Sequence, residues 1–207
     1  MSFQYIPGGQ VEVPEIPFRE KLLLPAQQSA VIVVDMQNDF CKPGGSLVVP
    51  PAMDSVPNIQ QLLAAARAQG VHIAYTQDTH YTGDREWTIW PKHTEAGTWG
   101  WQIIDELAPQ LGDMVFPKPR YDGFYNTSLE HYLRVWGVEH LVIVGTISSI
   151  CVLHTAAAAG LRWFHVVAAA DGMTALTNFD QAMTLRQISW LYAGEVTRSV
   201  ADIAFGK

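Results

Sequence analysis

Residues 141 to 155, LVIVGTISSICVLHT, constrain the chain most. An apolar β-branched run, Leu141 to Val144, reads as a short buried strand; Gly145 breaks it, Thr146 to Ile150 turn the chain, and VLHTAAAAGL begins in helix-forming residues. The rest of the sequence repeats this strand-to-helix pattern. AVIVVDM at 30–36 is a continuous apolar run ending at Asp35, as in a strand covered on both faces. PNIQQLLAAARAQ at 57–69 predicts a helix with Pro57 in its first turn and Gly70 as its stop, and VHIAYTQD at 71–78 predicts a second strand ending at Asp78. Further on come a short helix over 101–109, a brief strand over 113–117 reaching Lys118, and an amphipathic helix over 128–137 capped by Ser128. After the strand and helix around Cys151, a fifth strand is predicted over 164–171, a helix over 178–191 opened by Asn178, and a late strand in the first half of EVTRSVADIAF. That alternation predicts an α/β fold: a doubly wound, mostly parallel sheet of five or six strands with helices on both faces.

At 207 residues the chain suits one full core, so residues 28–207 are expected to form a single domain. Residues 1–27 hold Pro7, Pro14, Pro17 and Pro25 and no sustained period; they read as an extended arm lying on the body or on a neighbouring subunit. Thirteen basic against twenty acidic residues, with no basic block, argue against nucleic acid or an anionic membrane as partner. No run reaches transmembrane length, the opening MSFQYIPGGQVEVPEIPF lacks the basic and apolar regions of a leader, and Cys41 and Cys151 are too few for a disulfide framework. A cytoplasmic protein acting on a small molecule is expected.

In open parallel sheets the reactive groups gather beyond the carboxyl ends of the strands. Here those ends present Asp35, Asp78, Lys118 and Cys151. A cysteine at the first turn of a helix meets unpaired backbone N–H groups, which lower a thiol pKa and can hold an oxyanion; a buried structural cysteine would read the same way. Asp35, ending a buried strand, would lose hydration and become a competent base, or it caps a loop. Lys118 would steady a thiolate or donate to a carbonyl oxygen, although a lysine between two prolines also reads as a surface charge. The long segment THYTGDREWTIWPKHTEAGTWG at 79–100 has no periodicity and the length of a functional loop. With the strand end it supplies Asp78, His80, Glu86 and His93, nitrogen and oxygen donors that Zn, Fe or Mn accept; Asp84 is a competing carboxylate that spacing does not exclude. GxGxxG, GxxxxGK[ST] and GxSxG are all missing, and no organic cofactor is expected.

With VIVVDMQNDF at 31–40, TQDTH at 76–80, EWTIWPKHTEAGTWG at 86–100, FPKPRYDGFYNTSLEHYLR at 116–134 and GTISSICVLHTAAAAG at 145–160, the chain resembles the isochorismatase-like cysteine hydrolases, and among them most the nicotinamidases. The resemblance implies an Asp-Lys-Cys triad on Asp35, Lys118 and Cys151, and an oxyanion hole from the N–H groups of Ile147 and Cys151, with a cis peptide before Ile147. It implies a divalent metal, Zn first and Fe or Mn next, on Asp78, His80 and His93 with Glu86 as a variable fourth ligand. It places Phe40 and Trp90 as aromatic walls of the substrate site, with Tyr121 from the RYDGFYNT segment beside them. A small amide substrate and a homodimer or homotetramer are implied, with Trp136 and Trp163 suiting the interface. The segment PKPRYDGFYNT is also similar to ureidoacrylate, carbamoyl and biuret-type amidohydrolases of the same superfamily, which need no metal; there Arg120 or the 79–93 loop would bind a substrate carboxylate or carbamoyl group. An isochorismate-type ether hydrolase and an inactive binding relative are the remaining readings of the resemblance.

Overall fold

The computed structural model describes residues 12–206. In chain order the elements are β1 (Phe18–Arg19), β2 (Leu22–Pro25), β3 (Ser29–Val34), α1 (Asn38–Cys41), α2 (Val56–Ala68), β4 (His72–Asp78), β5 (Met114–Lys118), α3 (Leu129–Val135), β6 (His140–Thr146), α4 (Leu153–Leu161), β7 (His165–Thr174), α5 (Asn178–Leu191), β8 (Glu195–Thr197) and β9 (Ile203–Gly206). Seven strands form one sheet in the order β1-β8-β7-β6-β3-β4-β5, and all its pairings are parallel. β2 and β9 pair separately, also in parallel.

The continuous apolar character of β3 follows from its place at the centre. Val31 and Val33 belong to the core packed under α2 with Ile59, Leu62 and Val142, while Ala30, Ile32 and Val34 belong to a second core with Leu133, Ile143, Val152 and Ile188. Alternate side chains therefore leave the strand on opposite faces, and both faces are covered by helices. From β3 the chain builds outward through β4 and β5 on one side, then returns to place β6, β7 and β8 on the other. The order reverses between β3 and β6, and at such a reversal a crevice opens beyond the strand ends. Asp35 follows β3 and Cys151 follows β6, so the topology brings both to that crevice.

The doubly wound architecture matches the expectation, and the differences have local causes. The sheet gains its additional edge strand because Phe18–Arg19, within the segment expected as an arm, pairs with β8; Leu22–Pro25 pairs with β9. Residues 1–11 of that segment lie outside the described residues. The helix predicted over 101–109 is reduced to one 3-10 turn, Asp105–Leu107. Its backbone is committed elsewhere: Asn38 N donates to Gln102 O and Ile104 N to Met36 O, and just before it Asp39 N donates to Gly100 O. No α-helix therefore joins β4 to β5. Ser128 does not cap α3 with its side chain; Thr127 Oγ1 accepts from Leu129 N at 3.3 Å instead. The cap of α5 is Thr177, which accepts from Asp180 N at 3.1 Å, and Asn178 is the first helical residue. Trp163 is 92% exposed, whereas Trp136 is half-buried and stacks on His72 with centroids 4.4 Å apart. Among the described residues no helix is long and apolar enough to cross a membrane.

Candidate active site

Asp35 takes the left-handed backbone conformation, φ 50°, as the chain leaves β3; aspartate tolerates this better than most residues. Its N–H donates to Thr76 O at 3.2 Å, and its Oδ1 accepts from Thr76 Oγ1 at 2.8 Å, so β4 fixes both its backbone and its carboxylate. Parallel register sets Lys118, the last residue of β5, beside Asp78. The side chain is fully buried despite its flanking prolines. Its Nζ lies 2.8 Å from Asp35 Oδ2 and 2.9 Å from Asp78 Oδ1, and it reaches Cys151 Sγ at 3.6 Å.

Cys151 sits in a π-helical turn, Ser148–Val152, that precedes α4, and not in the first turn of a regular helix. Widened turns of this kind cluster at functional sites. The Thr146–Ile147 peptide before it is cis, where the resemblance put one. Gly145 is required by close approach: with φ at 119°, a Cβ there would stand 2.2 Å from Val34 O.

Burial governs proton affinities at this spot. It pushes the Cys151 thiol well above its ordinary value; Lys118 opposes this, and Asp35 and Asp78 reinforce it. The helix-start effect expected from sequence is outweighed by desolvation. Burial likewise raises Asp35 against the pull of Lys118. For Lys118 burial disfavours the charge, but Asp35 and Asp78 hold the ammonium well above the usual lysine value. The resting arrangement is a neutral thiol next to a basic carboxylate, with a cation in contact with both.

Cys41 is the internal control, since burial pushes its thiol up to about 12 and it does not line the cavity described below. Iodoacetamide at pH 8 is expected to alkylate Cys151, with Asp35 accepting the proton, and to leave Cys41 intact; peptide mapping reads the result. Labelling of both at equal rates, or unchanged labelling in Asp35→Asn, would show that Asp35 does not activate the thiol.

Asp78, His80 and His93 form the second cluster, all buried, with ligand atoms that lie within 4.8 Å of one another. His80 Nε2 is 3.0 Å and His93 Nε2 3.4 Å from Asp78 Oδ2. The outer nitrogens are occupied: His80 Nδ1 pairs with Asp84 Oδ2 at 2.9 Å and His93 Nδ1 with Pro91 O at 2.6 Å. Carboxylate and carbonyl partners behind two imidazoles orient the inner nitrogens toward a shared ion, so this donor set fits a divalent metal. Asp84 thereby falls behind His80 and is not among the ligand atoms. Burial works against protonation of His80, but Asp78 and then Asp84 hold its pKa up at about 9. Glu86 also faces this cluster, its Oε2 4.0 Å from His80 Nε2 and 2.8 Å from Arg120 Nη1.

A cavity of about 180 Å3 joins the two clusters, lined by Cys151, Ile147, Asp78, His93, Phe40 and Trp90 among others. Trp90 Nε1 donates to Tyr121 Oη at 3.0 Å, fixing two of the aromatic walls together. Phe40, Asp78, Glu86, Trp90, His93, Tyr121, Ile147 and Cys151 meet here; His80 and Lys118 stand against Asp78, Asp35 is paired to Lys118, Arg120 pairs with Glu86 and Asp84 with His80. Sequence reasoning missed Leu47, Val48, Val49 and Leu176, which complete the apolar wall. It also missed Gln37, whose side chain accepts from Asp78 N and donates to Asp78 O and Trp101 O, clamping the strand end to the loop. The apolar triplet after Gly44-Gly45 was the one available signal for the wall.

The family model described as Isochorismatase domain matches residues 29–201. Among solved structures, the chain is similar to an N-carbamoylsarcosine amidase from Thermoplasma acidophilum, at 34% identity and TM-score 0.76 over 83% of this chain and 96% of that one. It is similar to a nicotinamidase from Bacillus subtilis, at 26% identity and TM-score 0.77 over 83% and 100% of the two chains. A pyrazinamidase from Pyrococcus horikoshii in complex with zinc is similar at 27% identity and TM-score 0.77, over 82% and 98%.

Proposed function

This chain belongs to the isochorismatase family and is a hydrolase of that class, and from that premise we propose that it cleaves a small neutral aromatic amide, nicotinamide first, through a cysteine thioester. The observation that carries the reading is that Cys151, the Phe40 and Trp90 walls, and Asp78 and His93 of the metal-binding cluster all open on one cavity. Flat aromatic walls suit a flat ring, and a thiol at the same surface suits an electrophilic carbonyl.

In this mechanism Asp35 takes the thiol proton and Sγ adds to the amide carbonyl carbon. The N–H groups of Ile147 and Cys151 receive the developing oxyanion. When the C–N bond breaks, Asp35 returns its proton to the departing nitrogen and ammonia leaves. Water, deprotonated by the same carboxylate, then adds to the thioester; as the C–S bond breaks Asp35 returns that proton to Sγ, and the carboxylic acid is released. Lys118 keeps its charge throughout and holds Asp35 against Cys151. A bound metal supplies a Lewis-acid site for a ring nitrogen, and Asp78, His80 and His93 would hold it.

A neutral ring is favoured over an anionic substrate by the charges on the wall. The carboxylate and imidazole groups lining the cavity beside the thiol are Asp78, Glu86 and His93, and the nearby Arg120 guanidinium is ion-paired to Glu86. A substrate carboxylate would have to displace Glu86 to reach it. The similarity to an N-carbamoylsarcosine amidase supports a second reading, hydrolysis of an N-carbamoyl compound, in which Arg120, only half-buried, makes that exchange. Ammonia release from nicotinamide and from N-carbamoyl amino acids, compared side by side, decides between them. Turnover of the second with none of the first would sink the aromatic-amide reading.

Elemental analysis after mild purification is expected to find a divalent metal in the wild type and none in His80→Ala/His93→Ala. Equal metal content in both proteins would remove Asp78, His80 and His93 from that role.

A further inference from the structure

We propose that Arg120 is a positioning residue that withholds Glu86 from the metal, so that the centre is built on three protein ligands, Asp78, His80 and His93, with a coordination position left for substrate. This rests on the metal reading above. Glu86 is 1% exposed and lies on the cavity wall next to the cluster, a place from which a carboxylate would be expected to coordinate. It is nevertheless outside the set whose ligand atoms all lie within 4.8 Å of one another. Its Oε2 stands 2.8 Å from Arg120 Nη1 but 4.0 Å from His80 Nε2. That oxygen accepts no hydrogen bond, so the ion pair is its restraint.

Arg120 is itself held in place. Its guanidinium lies over the Tyr121 ring, 4.7 Å from the centroid, and Tyr121 Oη accepts from Trp90 Nε1. Among the described residues no other lysine or arginine is within ion-pair distance of Glu86, and the nearby Lys118 is engaged by Asp35 and Asp78. Without Arg120 the Glu86 carboxylate would stand uncompensated on the wall, beside Asp78, which Lys118 pairs, and two imidazoles, a four-donor set. Three protein ligands with an open position serve sites that must admit a further ligand, whereas four close the shell. Arg120 thus trades metal affinity for room at the metal.

The test is zinc affinity measured by competition with a chelating dye, with the visible spectrum of the cobalt-substituted protein as a second readout. Arg120→Gln is expected to bind zinc about 10- to 100-fold more tightly, within the range that outer partners of metal ligands command, and to change the cobalt spectrum. Glu86→Gln is expected to keep the wild-type affinity and spectrum. In the Glu86→Gln background the Arg120→Gln change is expected to have no effect, which separates ligand release from simple loss of positive charge. Wild-type affinity in Arg120→Gln, or a tenfold loss in Glu86→Gln alone, would overturn the proposal while leaving the metal site standing. Absence of zinc from the wild type would overturn it together with the metal reading, a distinguishable failure.

Discussion

Cys151→Ala is expected to lower ammonia release from nicotinamide by roughly 10^4-fold or more, because no other thiol reaches the cavity and a hydroxyl or water there has no comparable nucleophilicity. The side chain lost is small, so the variant is expected to melt near the wild-type temperature, and the loss is chemical. Asp35→Asn keeps the shape of the side chain while removing the base, and is expected to cost about 10^2- to 10^4-fold. Both are read in the same ammonia assay. A Cys151→Ala protein as fast as the wild type would eliminate covalent catalysis, whatever the fate of the metal.

Gly145→Ala is expected to destabilise the fold by about 3 kcal/mol or more, read as a lowered urea midpoint. Two causes add: φ at 119° is unfavourable to any side chain, and the new Cβ would meet Val34 O at 2.2 Å. Neither strand can give way, since β3 is paired on its other edge to β4 and β6 to β7. Gly112→Ala is the control, having φ at 99° but nothing within 4 Å of the added carbon. It carries only the backbone cost, about 1–2 kcal/mol. Equal losses in the two variants would mean that the contact with β3 does not matter. Folded Gly145→Ala protein is also expected to turn over slowly, because the contact lies immediately before Asp35 on one strand and Thr146 on the other.

The parts of the fold legible in the sequence are those where local pattern and tertiary demand coincide. Val31 to Val34 and Leu141 to Val144 are apolar without interruption because helices cover both faces, and that alone announced central parallel strands. Strand ends carrying Asp35, Asp78 and Lys118 were visible for the same reason. The segment 101–109 has helical composition, but nothing in it shows that Met36 and Asn38 will claim its backbone. The environment of Cys151 was misjudged in sign: a helix start is a local property, whereas the burial that raises the thiol is assembled from distant segments. The pairing of Glu86 with Arg120 belongs to the same class, since the two are joined only when the loop folds back over β5.

The chain between β4 and β5 separates two kinds of site residue. Asp35 and Cys151 follow the central strands β3 and β6, and Lys118 ends β5, which is paired to β4, whereas His80, Glu86, Trp90 and His93 belong to a connection that holds no α-helix. Recognition can therefore diverge independently of bond cleavage: exchanging the stretch after His80 would alter which molecule is admitted while the machinery beneath stays in register.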